Sequence, residues 1–197
     1  MKATALERII RMPLRAPTRT DQHCDLCGAP VEHTHRHLLD TRGAGELICA
    51  CQACWLLFDR EQAAQGHYRQ IPRRRLRLPT LPVDKLGVPV GLAFVITRDD
   101  GSALAHYPSP AGPTRWEVDR EAWLEVVADC PRLRDLRTDV EAVLVNTARG
   151  HDERWLVPVD DCYRLTAVIR SEWKGLSGGD TVWPRIDQFF SELTERS

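Results

Sequence analysis

Two Cys-x2-Cys pairs constrain this chain more than any other feature. The first is Cys24-Asp-Leu-Cys27-Gly28 in "HCDLCGAP", and the second is Cys51-Gln-Ala-Cys54 in "LICACQACWLLFDREQ". Two residues between thiolates form a tight knuckle whose backbone N–H groups point at the sulfurs. A glycine after the second sulfur supplies the open backbone conformation that ends the turn. Four thiolates from two knuckles fill the coordination sphere of one tetrahedral ion. Cys24, Cys27, Cys51 and Cys54 are therefore the expected metal ligands. Between the pairs, "HTHRHLLDT" and "ELICA" flank "RGAG" and read as a β-hairpin, and "WLLFDREQAA" has the pattern of a helix. Knuckle, hairpin, then a helix whose start carries two ligands is a treble-clef-like order. A helix start also favours thiolates through its dipole.

Zinc is the expected ion and iron the alternative. Rubredoxin-type iron sites use the same four thiolates but normally place a glycine after the last cysteine. Here Cys54 is followed by Trp55-Leu56-Leu57-Phe58, which reads as a helix core stripe. A closed four-thiolate site has no open coordination position and does no chemistry; it organises a module too small to bury enough core by itself. The fifth cysteine of this stretch, Cys49, reads as a bystander on the strand entering the site, able to replace Cys51 only if the chain re-registers. His33, His35 and His37 alternate along the other strand and share a face, either as exposed hairpin histidines or, in the sharper reading, as ligands of a second metal. Cys130 and Cys162 lie near helix ends and read as small buried apolar residues.

No secretory apolar segment is evident in "MKATALERIIRMPLRAP", where "ALERIIRM" could form a short amphipathic helix. Seven cysteines in such a chain point to a reducing cytoplasm and to metal rather than disulfides. No apolar run reaches the roughly 18 residues of a membrane span. A net charge of −1 argues against recruitment of nucleic acid.

Composition shifts divide the chain into a lead-in (1–21), a four-cysteine metal-binding module (22–69), a Pro/Arg-rich connector (70–87) and an α+β domain (88–197). The connector "QIPRRRLRLPTLPVDKLGVPV" reads as extended and solvated. In the last unit, "VGLAFVIT" and "ALAHYPS" form a hairpin through "RDDGS", and "DREAWLEVVADC" is a helix capped by Asp119. "VEAVLVNTA" and "RWLVPV" form a second hairpin. "DDCYRLTAVIRSEW", capped by Asp160, and "VWPRIDQFFSELTER" are helices joined by "KGLSGGD". The pattern is ββα–ββαα, an antiparallel sheet with helices on one face. No Ser/His/Asp or Cys/His constellation stands out, "GLSGGD" lacks the Lys-Ser/Thr of a phosphate loop, and the chain is not expected to be an enzyme.

The segments "CDLCG", "HRHLLD", "LICACQACWLLFD", "PVGLAFVI", "YPSPAGPT", "VEAVLVNTARG", "WLVPVDDCYRLTAVIRSEWKGLSGGDTVW" and "IDQFF" together resemble an uncharacterised bacterial domain-of-unknown-function family. That family is often encoded beside [NiFe]-hydrogenase subunits and maturation proteins. The resemblance spans most of residues 20–195 and carries no catalytic residues over. It implies an accessory protein, either a zinc-stabilised adaptor or chaperone binding a hydrogenase subunit or maturation protein, or a rubredoxin-like iron carrier serving the hydrogenase. Trp173, Leu176 and Trp183, near the Gly-rich turn, are candidate contacts if exposed and core residues otherwise.

Overall fold

The two most apolar strand segments of the sequence, "LAFVIT" and "EAVLVN", become the centre of a sheet, and all twelve of their residues are buried. The computed structural model describes residues 22–32, 34–42, 45–58, 66–87, 91–110, 114–175 and 178–196. The expected helix in the lead-in, His33 and Leu176 lie outside these residues. In chain order the strands and helices are β1 (Arg36–Asp40), β2 (Glu46–Ala50), α1 (Gln52–Leu56), β3 (Tyr68–Gln70), β4 (Leu76–Arg77), β5 (Leu92–Thr97), β6 (Ala103–Tyr107), β7 (Thr114–Val118), α2 (Arg120–Asp129), β8 (Glu141–Asn146), β9 (Glu153–Pro158), α3 (Val159–Glu172) and α4 (Val182–Glu195). The fold is α+β, with every strand pair antiparallel.

The larger sheet has the order β4-β9-β8-β5-β6-β7. A strand buried along its whole length needs cover on both faces. On one face Phe94, Ile96, Leu144 and Trp155 pack against Leu165 and Ile169 of α3 and Phe189 and Leu193 of α4. On the other, Val95, Val143 and Leu156 pack against Trp123 and Val126 of α2 and Leu133 of the turn after it. The expectation of helices on one face is thus corrected to both. The signal was the unbroken apolar run, since a one-sided antiparallel strand alternates.

Asp119 caps α2 as expected, its Oδ1 accepting the Ala122 N–H at 3.0 Å. Helix α3 differs. It starts at Val159 with no side-chain cap, so Asp160 and Asp161 stand inside its first turn, where its dipole favours carboxylates. Pro184 sits in the first turn of α4. Between α3 and α4, Gly178 has φ +91°, and an added Cβ would come within 2.8 Å of Val182. Cys130 and Cys162 are buried in the two core layers, the expected small apolar role.

The smaller sheet has the order β2-β1-β3, with His37 opposite Cys49 and Leu39 opposite Leu47. Leu39 and Ile71 are buried, and they join the same core layer as Phe94 and Leu165. The connector 70–87 does more than span a gap. Its β4 extends the large sheet by pairing with β9. Arg74 donates through Nε and Nη2 to the Glu141 carboxylate at 3.0 and 2.7 Å, and Glu141 is wholly buried. Arg75 Nε donates to Asp161 at 2.6 Å, and Arg73 donates to the Thr34 carbonyl at 3.2 Å. Of the four arginines of "RRRLR", Arg74 and Arg75 are therefore engaged internally rather than solvated, whereas Arg73 and Arg77 stay exposed. Strands β3, β4 and β7 go beyond the ββα–ββαα pattern; two are very short, and the third, "TRWEV", is mostly polar.

Candidate metal centre

The first knuckle folds as its residues require. Gly28 takes φ +73°, its N–H donates to the Cys24 carbonyl at 2.8 Å, and the Cys24 N–H donates to the Ala29 carbonyl at 2.8 Å. Two bonds tie the knuckle to β2: the Asp25 N–H donates to the Cys49 carbonyl at 2.9 Å, and the Cys49 N–H to Asp25 Oδ2 at 2.6 Å. At the second pair, Cys51 is the N-cap of α1, and its Sγ accepts the Cys54 N–H at 3.4 Å. The strand exit and the helix start thus aim Cys51 and Cys54 at the first knuckle.

The four sulfurs of Cys24, Cys27, Cys51 and Cys54 all lie within 4.8 Å of one another, and those of Cys27 and Cys51 are 3.8 Å apart. Four sulfurs at about 2.3 Å from a tetrahedral ion stand about 3.8 Å from each other, so the donor set fits such an ion. Cys24 is 2% exposed and Cys54 is buried, whereas Cys27 is exposed. Thiolates packed this closely compete for charge. Burial raises the Cys24 thiol, but the N–H groups of Cys51, Leu26 and Cys27 outweigh it and bring it down to about 6. Cys54 is pushed up to about 12, first by its hydrogen bond with Cys27 and then by burial and the other two sulfurs. A divalent cation removes that conflict by accepting several thiolates at once.

Cys49 lies outside this set. Its sulfur groups instead with the ring nitrogens of His35 and His37. Burial raises its thiol, and the charges of Asp25 and Cys24 add to that. His37 Nδ1 is 2.8 Å from Asp160 Oδ2, and His35 Nδ1 is 2.9 Å from the Glu32 carbonyl. This grouping was only half visible in the sequence: the alternating histidines were, but their pairing with Cys49 depends on strand register.

The stretch after Cys54 departs from the expected core stripe. Helix α1 ends at Leu56, and Leu56 and Leu57 are 54% and 70% exposed; Leu26, inside the first knuckle, is 36% exposed. Trp55 is half-buried beneath the Arg36 guanidinium, 4.5 Å from its ring centre. Trp173 and Trp183 instead pack against the large core, where Trp173 Nε1 donates to the Gly175 carbonyl at 2.9 Å. His106 is buried, stacked on Phe94, and burial, with Arg98 and Arg115 nearby, lowers it to about 4. None of the described helices is long and apolar enough to cross a membrane.

The chain belongs to a family of unknown function, DUF5947, which it matches over residues 23–197, from the first knuckle to the last helix. No curated protein and no solved structure matches it.

Proposed function

We propose that the protein is a zinc-stabilised, non-enzymatic accessory protein of a cytoplasmic [NiFe]-hydrogenase system, acting as a protein-binding adaptor or maturation chaperone. The observation that carries this reading is the convergence of four cysteine sulfurs into a closed donor set. Protein ligands would fill every position on a tetrahedral ion there, which leaves shape rather than catalysis as its contribution. The link to a hydrogenase rests on the family resemblance alone. The surface offered to a partner is apolar: Leu26, inside the first ligand pair, and Leu56 and Leu57, just after the second, are among the exposed large hydrophobic side chains. The exposure of Cys27 favours one second reading, an iron electron carrier, because a solvent-facing thiolate offers a short path for an electron.

The test is a pull-down of co-encoded hydrogenase subunits with the full chain and with a Leu56→Asp/Leu57→Asp variant, alongside elemental analysis. Zinc, capture by the wild type and loss of capture in the variant support the adaptor. Failure to capture any hydrogenase protein, with normal hydrogenase maturation in cells lacking this chain, sinks it. A red protein with a reversible iron couple promotes the carrier.

A further inference from the structure

We propose that His35, His37 and Cys49 form a second metal site, separate from the four-cysteine centre, that binds a borderline divalent transition-metal ion such as Zn²⁺ through two imidazoles and one thiolate. The inference holds whether the four-cysteine ion is zinc or iron.

Strand pairing builds the site. β1 and β2 place His37 directly opposite Cys49, so both side chains leave the same face of the hairpin, and His35 lies two residues before His37 on the same side of the chain. The His35 and His37 rings meet edge to face with centroids 4.6 Å apart. One ligand atom from each of His35, His37 and Cys49 lies within 4.8 Å of the other two. Nitrogen at about 2.0 Å and sulfur at about 2.3 Å from a tetrahedral ion stand about 3.3–3.6 Å apart, a contraction that side-chain torsions supply.

The hydrogen bonds set the imidazoles for this role. A backbone carbonyl can only accept, so the 2.9 Å contact between His35 Nδ1 and the Glu32 carbonyl puts the proton on Nδ1. His35 Nε2 is then left with a lone pair, and that atom is buried with no hydrogen-bond partner. A buried acceptor with nothing to accept is costly, and a cation at that position removes the cost. His37 Nδ1 faces the Asp160 carboxylate at 2.8 Å, which leaves Nε2 as the ring nitrogen for a metal. Carboxylate–histidine pairs of this kind orient metal-binding rings and raise their basicity. Two imidazoles and a thiolate suit zinc, cobalt or copper rather than magnesium or calcium. Three protein ligands leave the fourth position to water or to a donor from outside the chain. Asp160 belongs to α3 and His37 to β1, 123 residues apart, so an ion here also fastens the hairpin to the large sheet's helical layer.

Metal-free full-length protein titrated with Co²⁺ or Zn²⁺ and then assayed for bound metal tests the site. Wild type is expected to hold two ions per chain. Cys49→Ser and His35→Ala are each expected to hold one, with the four-thiolate cobalt absorption unchanged as a check on folding. Asp160→Asn keeps all three ligands and should weaken the second ion about 10–100-fold. One ion per chain in wild type, or two retained in both ligand variants, overturns the proposal. Should the variants fail to fold, the paramagnetically shifted imidazole protons of the wild-type cobalt form decide it, since their absence excludes histidine ligation.

Discussion

The two sheets of this protein are both antiparallel and both joined to one core, yet they are held by different means. In the six-stranded sheet, β5 and β8 bury every residue between two helical layers, with Phe94, Leu144 and Trp155 on one side and Val95, Val143 and Leu156 on the other. Apolar burial supplies its stability at roughly 25 cal/mol per Å². Among the described residues the three-stranded sheet contributes only Leu39 to that core, joined by Ile71 just after β3, with Leu47 packed at its margin. Leu38 and Ala50 are buried within it as well, and its remaining organising contacts are sulfur and polar: four cysteines at one end, and His37–Asp160 and Arg69–Asp139 at its boundary with the larger part. One region is held by what it excludes, and the other gathers side chains that could hold a metal ion.

The largest effect expected from that contrast follows removal of a cysteine ligand. Cys54→Ser should release the ion and unfold the hairpin and both knuckles, because structural zinc in small modules contributes on the order of 10 kcal/mol. Amide exchange should accelerate across residues 22–58 and stay slow in β5 and β8, while Cys49→Ser should keep this ion. Equal loss of protection in both sheets on adding a chelator would break the comparison and make them one cooperative unit.

A smaller effect, confined to the large sheet, is expected from Arg74→Ala. It leaves Glu141 buried with only the Arg137 N–H, bonded at 3.0 Å, and should cost about 3–5 kcal/mol in urea unfolding without changing metal content. A change under about 0.5 kcal/mol would return Arg74 to the solvated connector that its sequence suggests.

The smallest effect concerns acid. The folded state holds His106 near 4, whereas an unfolded histidine titrates near 6.5. Below about 6.5 the unfolded chain takes up a proton that the folded chain refuses. This contribution is intact above 6.5 and is lost as pH falls toward 4. His106→Phe should show a shallower fall in stability than wild type between pH 7 and 4.5 by urea unfolding. Parallel slopes would remove His106 from the account. In the small sheet, an ion held by the four cysteines would be lost to acid by a different route, protons competing with it for the thiolates.

These differences also explain what could be seen in the sequence. The Cys-x2-Cys pairs are local motifs whose spacing dictates geometry, so the knuckle at Cys24–Gly28, the hairpin and a helix start carrying the second pair were legible, whereas residues 59–64 of the expected helix lie outside the described residues. The buried runs of β5 and β8 and the Asp119 cap were legible for the same reason. What was missed depends on residues far apart in the chain. Arg74 and Arg75 look like linker charges until Glu141 and Asp161 are placed beside them, 67 and 86 residues away. Asp160 resembles a helix cap until His37 reaches it. Leu56 and Leu57 fit a helical stripe, but α1 stops after five residues and leaves them exposed.

The borders of the large sheet have a consequence for how the protein behaves when crowded. An open sheet presents unpaired N–H and C=O groups along both outer strands, an invitation to intermolecular pairing. Here one border, β4, is two residues long and ends in Arg77, and the other, β7, reads Thr-Arg-Trp-Glu-Val with Arg115 and Glu117 exposed. A border that short and a border that charged are poor templates for a neighbouring chain. The most apolar strands, β5 and β8, are kept at the centre, out of reach of amyloid-like stacking.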